Sequence, residues 1–142
     1  SPKGIPNNLF PFILGVISKK YKYLSIFGND YDTLDGTGVR DYVHVEDISM
    51  AHANSLDLFN TSTKNQIINL GTGIGYSVLE IIKEFEKVIE KRIPFKIKTR
   101  RIGDAAIVVA DNKKAKSILK WKIKNNLNDI CKDTIKWMNN YG

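Results

Sequence analysis

The stretch of residues 24–48 constrains the fold of this chain more than any other part of its sequence, because it places three glycines between two strand-like runs. A β-prone run, Leu24–Phe27, enters a polar loop that contains Gly28, Gly36 and Gly38. Glycine adopts positive φ values and lets other groups approach the backbone closely. The stretch therefore predicts two strands joined by a tightly turned loop.

Arg40 follows this loop at the start of the second strand-like run. Apolar and polar residues alternate from residue 39 to residue 45, which predicts a short strand there. An arginine beside a glycine loop presents a planar fork of N–H groups that suits phosphate or carboxylate. The pattern is typical of a loop that binds an anionic ligand, and an ordinary hairpin with a surface arginine is the alternative.

The rest of the chain alternates helical and strand-like patterns, which predicts an α/β fold. Apolar residues recur at helical spacing after five capping residues, namely Asn8, Asp47, Ser77, Asp111 and Asn126. Strands are predicted at residues 66–70 and 93–99. His52 lies on the apolar face of the second helix and is interpreted as a structural core residue. The last helix is expected to direct Cys131 and Trp137 inward.

Length and composition predict one domain, residues 1–142, with 42% hydrophobic residues. No apolar run approaches the roughly 20 residues of a membrane span, and residues 1–6 do not resemble a signal peptide. Cys131 is the single cysteine, so an internal disulfide is excluded. We therefore expect a cytoplasmic protein without membrane contact, in a reducing compartment.

The net charge of +7 leaves two interpretations open. Basic proteins often bind nucleic acids or nucleotides. The lysines are scattered along predicted helix faces, as in Lys83, Lys87 and Lys91, and no series of aromatic residues accompanies them for base stacking. A solvated surface is preferred, and a basic nucleic-acid-binding module is kept as the alternative of a different class.

Catalytic patterns are scarce in this sequence. The two histidines and one cysteine have no metal-ligand spacing, and no serine is ordered with a histidine and an acid as in a catalytic triad. The glycine turn at residues 71–77 begins like a dinucleotide fingerprint, but Tyr76 occupies the place of the third glycine. Ser77 and Glu80 predict a capping box instead. We therefore expect no catalytic, cofactor-binding or metal-binding residue in this chain.

Five blocks of the sequence together resemble the C-terminal half of the UDP-glucose 4-epimerase family, within the extended short-chain dehydrogenase/reductases. They are Gly4-Ile-Pro-Asn-Asn-Leu9, Ile26-Phe-Gly-Asn-Asp-Tyr31, Asp35-Gly-Thr-Gly-Val-Arg-Asp-Tyr-Val-His-Val45, Asn69-Leu-Gly-Thr-Gly73 with Ser77-Val78, and Arg100-Arg-Ile-Gly-Asp104. Their order and spacing are those of the family over essentially the whole chain. Single blocks are shared with other nucleotide-sugar enzymes, so another nucleotide-sugar dehydratase, decarboxylase or epimerase is the same-fold alternative.

The resemblance implies a two-part enzyme of galactose metabolism that interconverts UDP-glucose and UDP-galactose through a 4-keto sugar. An N-terminal Rossmann half would hold NAD and a catalytic tyrosine–lysine pair, and this chain would be the UDP-sugar-binding half of a homodimer. None of the six tyrosines here has a lysine four residues later. The resemblance therefore implies that this chain alone binds no NAD and is inactive as a fragment.

Position by position, the resemblance implies nine substrate-binding residues, namely Asn8, Leu9, Ser25, Ile26, Phe27, Arg40, Arg101, Asp104 and Val108. The first five would lie beside the diphosphate and uracil. The two arginines would hold the phosphates, and the aspartate would accept hydrogen bonds from the ribose hydroxyls. Asp41, His44 and Asp47 are interpreted as scaffold.

Val108 corresponds to a position that acts in the 4-epimerases as a gate beside the C2 substituent of the sugar. A tyrosine there excludes an N-acetyl group, and a smaller residue admits it. Ala105 and Ala106 precede Val108, where the family commonly has a proline. The resemblance therefore implies that an enzyme with valine here accepts UDP-N-acetylhexosamines as well as UDP-hexoses.

Overall fold

The computed structural model describes residues 8–61 and 65–141 and shows the predicted α/β arrangement of short strands and helices. The first part of the Gly4–Leu9 block lies outside these residues. In chain order the elements are α1 (Leu9–Ile17), β1 (Leu24–Phe27), β2 (Val39–Asp41), α2 (Val45–Thr61), β3 (Gly75–Ser77), α3 (Val78–Ile89), β4 (Phe95–Lys98), β5 (Ile107–Val108), α4 (Lys113–Ile118) and α5 (Leu127–Tyr141). No helix in the described part of the chain is long and apolar enough to cross a membrane.

Two small sheets form the frame of the fold. In the first, β1 and β4 pair in parallel, with Leu24 opposite Phe95. In the second, β2 is central, with β3 antiparallel on one side and β5 parallel on the other. Parallel pairing puts the same ends of two strands side by side. The residues that follow β1 therefore lie beside those that follow β4.

The second strand is shorter than predicted, since β2 ends at Asp41 and residues 42–45 do not continue it. Helix α2 begins at Val45, and Nδ1 of His44 accepts a hydrogen bond from the backbone N–H of Glu46 at 3.1 Å. The first N–H groups of a helix have no helical partner, and His44 satisfies one of them. Helix capping therefore ends the strand earlier than the alternation indicates.

The strand predicted at residues 66–70 does not form among the described residues, and β3 lies at Gly75–Ser77 instead. A strand needs a neighbour for its N–H and C=O groups, and residues 66–70 pair with none of the described strands. Ile68 and Leu70 pack through their side chains against a small core. The apolar residues at 66–70 therefore correctly indicate packing against a core, but they do not form the strand that their composition predicts. The strand predicted at residues 93–99 is confirmed as β4.

Helix α2 buries only part of the face predicted for it, which includes Ala51 and His52. Asp47 lies in its first turn rather than at its cap, and Asp47 and Ala51 are buried. His52 is exposed, and its Nδ1 lies 2.8 Å from the carbonyl oxygen of Ile48, so its interpretation as a core residue is wrong. The apolar spacing fits two adjacent helix faces, and packing around Trp121 selects the face of Asp47 and Ala51.

The larger core lies between α1, α3, α5 and the sheet of β1 and β4. Phe85 and Cys131 are fully buried in it. Burial and the nearby Glu84 carboxylate raise the pKa of the Cys131 thiol to about 12. The inward direction of Cys131 is confirmed, but that of Trp137 is wrong, because Trp137 is 57% exposed. The buried residues of α5 are Leu127, Ile130 and Cys131 in its first half, whereas Trp137 lies in its second half.

The smaller core surrounds Trp121, whose side chain is buried and whose indole N–H donates to the backbone C=O of Asp47 at 2.7 Å. The carboxylate of Asp47 accepts hydrogen bonds from the N–H groups of Lys124 and Asn125, at 3.1 Å each. Asp47 therefore ties α2 to the segment before α5. Its interpretation as scaffold is confirmed.

Capping rules predict most of the helix starts. Asn8 is the N-cap residue of α1, and the capping box of α3 is present. At α5, Asn126 and Asp129 each accept a hydrogen bond from the other's N–H, at 3.1 and 2.9 Å. The prediction for α4 is wrong by one residue, since Asn112 is its N-cap. Asp111 still accepts from the N–H of residue 113 at 3.0 Å, because an aspartate readily bonds the N–H two residues ahead.

Candidate functional site

A cavity of about 530 Å³ is bounded by the first turn of α1, by β1, by β2 and by the segment that joins β4 to β5. We call it the strand-end cavity. Eight of the nine residues that the sequence implies for substrate line it, namely Asn8, Leu9, Ser25, Ile26, Phe27, Arg40, Arg101 and Asp104. The remaining one, Val108, lies in β5 opposite Arg40 in the strand ladder and is 51% exposed.

The parallel pairing of β1 with β4 brings Phe27 and Arg101 together. Phe27 ends β1, and Arg101 follows the end of β4. The Arg101 guanidinium carbon lies 4.0 Å from the centre of the Phe27 ring. A cation over an aromatic face is attracted by the ring's quadrupole. One wall of the cavity is therefore an aromatic ring covered by a guanidinium group.

The parallel pairing of β2 with β5 brings Arg40 and Asp104 together across 64 residues of sequence. Nη2 of Arg40 donates to Oδ1 of Asp104 at 3.3 Å, and the two side chains are 31% and 41% exposed. Nη1 of Arg40 donates to the carbonyl oxygen of Val39 at 2.8 Å. The guanidinium group is thus fixed by the backbone as well as by the carboxylate, which pre-organises it for an anion.

The glycine loop between β1 and β2 closes over a second aromatic–arginine pair. Tyr31 is buried, and the Arg100 guanidinium carbon lies 3.9 Å from its ring centre. Gly28 has φ +90°, and a Cβ there would lie 2.6 Å from both Tyr31 and Arg100. Gly36 has φ +77°, and its carbonyl accepts from the N–H of Tyr31 at 2.9 Å. The glycines therefore permit a loop that holds Tyr31 in the cavity wall.

Asp35 fastens this loop to the start of α3. Its carboxylate accepts from the N–H of Thr37 at 2.9 Å, from the Thr37 hydroxyl at 2.7 Å and from the Ser77 hydroxyl. Burial raises the pKa of Asp35, but the hydrogen bonds from Ser77 and Thr37 outweigh it, so the pKa lies below its usual value of 3.8. The charged form of Asp35 therefore stabilises the fold.

Replacing Asp35 with asparagine is expected to lower the free energy of unfolding at neutral pH by about 1.5 kcal/mol, because charge-assisted hydrogen bonds are lost. A lowered folded-state pKa means that this contribution is complete above pH 3.8 and is lost as the pH falls through the folded-state value. The difference between wild type and Asp35→Asn should therefore shrink on acidification, measured by urea unfolding. Asp32→Asn, an exposed carboxylate of the same loop, is the control. A difference that does not change with pH would contradict the assignment.

Asp41 and His44 serve the fold, as the sequence interpretation has it. The Asp41 carboxylate accepts from the N–H and hydroxyl of Thr72 at 2.8 and 2.6 Å and from the N–H of Gly73 at 2.9 Å. It therefore shapes the 71–77 turn, where Gly73 has φ +77°. His44 Nδ1 accepts from a backbone N–H, so Nε2 is the donor to Asp133 at 3.2 Å.

Sequence reasoning missed several lining residues, namely Phe10, Pro11, Phe12, Tyr31, Gly38, Tyr42 and Val78. The rings of Phe10 and Tyr42 lie 5.3 Å apart, centre to centre. Burial raises the pKa of Tyr42, and the positive charge of Arg40 opposes this shift. Tyr42 stands two residues after Arg40, a spacing that puts both on one side of an extended chain. That signal was available from the sequence.

A second cavity, of about 850 Å³, lies where the C-terminal ends of α1, α3 and α5 meet. Its floor is apolar, and Lys19, Lys20, Lys22, Lys91 and Arg92 stand at its rim. Cations are favourable beside the carbonyl ends of helices, which accounts for these side chains. Among the described residues, no three His, Cys, Asp or Glu side chains are grouped as a metal site requires.

Comparison with known families and sequences gives a consistent result. The family model described as GDP-mannose 4,6 dehydratase matches residues 1–134. A relative from Bacillus subtilis named UDP-glucose 4-epimerase is 50% identical over 136 residues, which are 96% of this chain and 40% of that protein. UDP-glucose 4-epimerase 4 from Oryza sativa is 50% identical over 96% of this chain and 37% of its own length. The chain thus spans about two fifths of the curated relatives it matches and corresponds to their C-terminal part.

Solved structures give the same result. A UDP-glucose 4-epimerase from Stenotrophomonas maltophila, with bound NAD and formylated UDP-arabinopyranose, superposes with a TM-score of 0.93 at 44% identity, over 99% of this chain and 42% of that one. The epimerase from Bifidobacterium longum, in complex with NAD+ and UDP, has a TM-score of 0.90 at 43% identity, with the same coverage of 99% and 42%. The fold is therefore that of the C-terminal part of an extended short-chain dehydrogenase/reductase.

Proposed function

We propose, since this chain belongs to the family described as GDP-mannose 4,6 dehydratase, that it forms the UDP-sugar-binding part of a UDP-glucose 4-epimerase. The observation that carries the proposal is the strand-end cavity, which gathers eight residues implied for the nucleotide from four separate segments of the chain. The names of its relatives and the complexes of similar epimerases with UDP ligands and NAD support it. The second cavity, at the C-terminal ends of α1, α3 and α5, has one arginine, Arg92, among its described lining residues.

In this proposal the chain anchors the nucleotide and leaves the sugar mobile. Arg40 and Arg101 carry the positive charge that a diphosphate requires, and bidentate charge-assisted hydrogen bonds to phosphate are strong. The first turn of α1, which begins at Asn8 and Leu9, adds N–H groups at a helix N-terminus. Uracil would contact β1 at residues 25–27, which present the edge of the strand and the aromatic ring of Phe27. A remote anchor of this kind positions the reacting part of the substrate.

The chemistry at C4 belongs to an N-terminal half that holds NAD, and NAD supplies the hydride acceptor and donor there. The residues of this chain contribute binding and orientation. They hold the UDP group while the oxidised sugar turns over, so that hydride can return to its other face. No residue in the strand-end cavity is proposed to move a proton.

The proposal is tested with the full-length protein, meaning this chain together with the N-terminal half implied by its relatives. Incubation with UDP-galactose is expected to give UDP-glucose at equilibrium, measured by NMR of the anomeric protons. Loss of water to a 4-keto-6-deoxy sugar would identify a dehydratase, the same-fold alternative. A filter-binding assay with RNA and with UDP separates both enzymes from a nucleic-acid-binding module.

The 142-residue chain expressed alone is expected neither to bind NAD tightly nor to epimerise UDP-galactose. The reason is that its sequence contains no tyrosine followed four residues later by a lysine. The measurement is NAD binding by calorimetry and turnover by a coupled assay, with the full-length protein as the positive control. Turnover by a rigorously purified 142-residue chain would refute this part of the proposal.

Val108 is proposed to admit an N-acetyl group beside the sugar. Its position opposite Arg40 in β5 places it next to the strand-end cavity, and the N–H of Val39 bonds the carbonyl of Ala106 at 2.8 Å. That hydrogen bond and the pairing of Arg40 with Val108 hold the backbone of β5 against β2.

Val108→Tyr in the full-length protein is expected to lower kcat/KM for UDP-N-acetylgalactosamine about tenfold relative to UDP-galactose, because a pocket discriminates one small group by about 1–3 kcal/mol. Steady-state kinetics with both substrates measure the ratio. Val109→Tyr, at the next residue, is the control. If tyrosine at position 108 leaves the N-acetyl activity untouched, Val108 is not the gate.

A further inference from the structure

The second cavity, at the C-terminal ends of α1, α3 and α5, combines an apolar floor with a basic rim. Its volume of about 850 Å³ falls within the range of roughly 300–1,000 Å³ that is usual for small-molecule sites. The floor comprises Val16, Ile17, Tyr21, Ile89, Ile93, Pro94, Ile135 and Met138, and the rim comprises Lys19, Lys20, Lys22, Lys91 and Arg92. None of the described lining residues is acidic.

The helix ends favour cations at this rim, but they balance only part of its charge. A helix C-terminus carries about half a unit of negative charge, so three of them offset only about one and a half of the five positive charges. One rim cation, Arg92, pairs with the Glu86 carboxylate at 3.0 Å. Within residues 8–61 and 65–141, the four rim lysines belong to no ion pair. The rim therefore keeps an excess of positive charge.

The backbone at the end of α1 does not need these lysines as hydrogen-bond donors. The carbonyl oxygens of Leu14, Gly15 and Val16 accept from N–H groups of the turn that follows, at 2.9 to 3.0 Å. The ammonium group of Lys20 lies instead 5.8 Å from the centre of the Tyr21 ring, which belongs to the floor. Lysine stems cover apolar surface while their charged ends stay in water. The ammonium groups are thus placed around the floor rather than against the helix ends.

We propose that this cavity binds a small organic anion with an apolar body, of the chemistry of a fatty acid. The apolar body leaves water for the floor, and its carboxylate lies among the rim lysines. A bare anion gains little at exposed lysines, and an uncharged hydrocarbon gains nothing from them. The two features together select a molecule that has both parts.

This site is separate from the strand-end cavity, because the two lie at opposite ends of α1. The first turn of α1 lines the strand-end cavity, and its last turn, at Val16 and Ile17, lines the second one. An amphiphilic anion is therefore expected to bind together with a nucleotide rather than in its place.

The test uses the full-length protein saturated with UDP and NAD, with dodecanoate as the probe, below its critical micelle concentration. Calorimetry is expected to show one dodecanoate bound per chain, with an affinity that falls as ionic strength rises, because exposed charges are screened by salt. Dodecylammonium has the same chain and the opposite charge. It should bind about tenfold more weakly or not at all, because it meets like charges at the rim.

Variants at both features locate the binding. Lys22→Glu and Lys91→Glu are each expected to weaken dodecanoate binding about threefold, and the double variant about tenfold, since each replaces an attractive exposed charge by a repulsive one. Met138→Gln should weaken it about threefold through lost apolar contact. Lys116→Glu is the matched control: it makes the same charge change at an exposed residue of α4 that does not line the cavity, and should leave the affinity unchanged.

No binding of dodecanoate to the wild type would overturn the proposal, as would equal binding of dodecylammonium. Unchanged affinity in the double variant, or an equal loss in Lys116→Glu, would overturn it as well. Displacement of dodecanoate by UDP would place the probe in the strand-end cavity and reject the second site. Each of these results leaves the proposed function intact, because UDP binding is measured separately.

Discussion

Replacing Arg40 or Arg101 with alanine is expected to weaken UDP binding by the full-length protein about thirtyfold, or about 2 kcal/mol. Each guanidinium group lines the strand-end cavity, and a bound diphosphate that loses one of them keeps a charge without its partner. Arg40→Ala should have the larger effect of the two, because Arg40 is fixed by the carbonyl of Val39. Calorimetry with UDP measures both changes.

Lysine at position 40 is expected to rescue little of the lost affinity, because an ammonium group cannot supply the planar fork that bonds two phosphate oxygens. Arg92→Ala provides the matched control: Arg92 stands outside the cavity, 93% exposed, and pairs with Glu86. It should leave the UDP affinity unchanged. An unchanged affinity in Arg40→Ala would reject the assignment of this arginine to the diphosphate.

Replacing Trp121 with alanine is expected to lower the free energy of unfolding by about 4 kcal/mol, the usual effect of removing a large buried aromatic side chain. Trp121 is 1% exposed and also donates to the carbonyl of Asp47 at 2.7 Å. The variant therefore loses both packing and the indole hydrogen bond to the backbone of α2. Urea unfolding of the full-length protein, followed by circular dichroism, measures the change.

Trp137, the other tryptophan of the chain, is 57% exposed and provides the control for Trp121→Ala. Trp137→Ala should change the unfolding free energy by only about 0.5 kcal/mol, as for most surface substitutions. Equal losses in the two variants would show that α5 is covered in the full-length protein on the side where Trp137 lies. A small loss in Trp121→Ala would contradict the importance of the smaller core.

Local sequence rules predicted the features that depend on neighbouring residues. The capping box of Ser77 and Glu80 and the reciprocal bonds of Asn126 and Asp129 form as expected, because each joins residues three apart. The rules failed where two local choices compete. The alternation after Asp41 indicates a longer strand, but His44 caps a helix that begins at the next residue, Val45.

Tertiary packing decided what local patterns leave open. The apolar spacing of α2 fits two faces, and only the position of Trp121 buries Asp47 and leaves His52 exposed. Residues 66–70 have the composition of a strand, but a strand also requires a partner, and no local pattern identifies one.

The resemblance of the sequence to a family named eight residues that line the strand-end cavity, and the sequence interpretation took Asp41, His44 and Asp47 as scaffold. It did not predict how these residues meet. Arg40 and Asp104 are 64 residues apart and come together because β2 pairs with β5 in parallel. Phe27 and Arg101 meet because β1 pairs with β4. Strand pairing depends on which surfaces bury each other in three dimensions. Only the tertiary structure therefore placed Arg40 against Asp104 and Arg101 against Phe27.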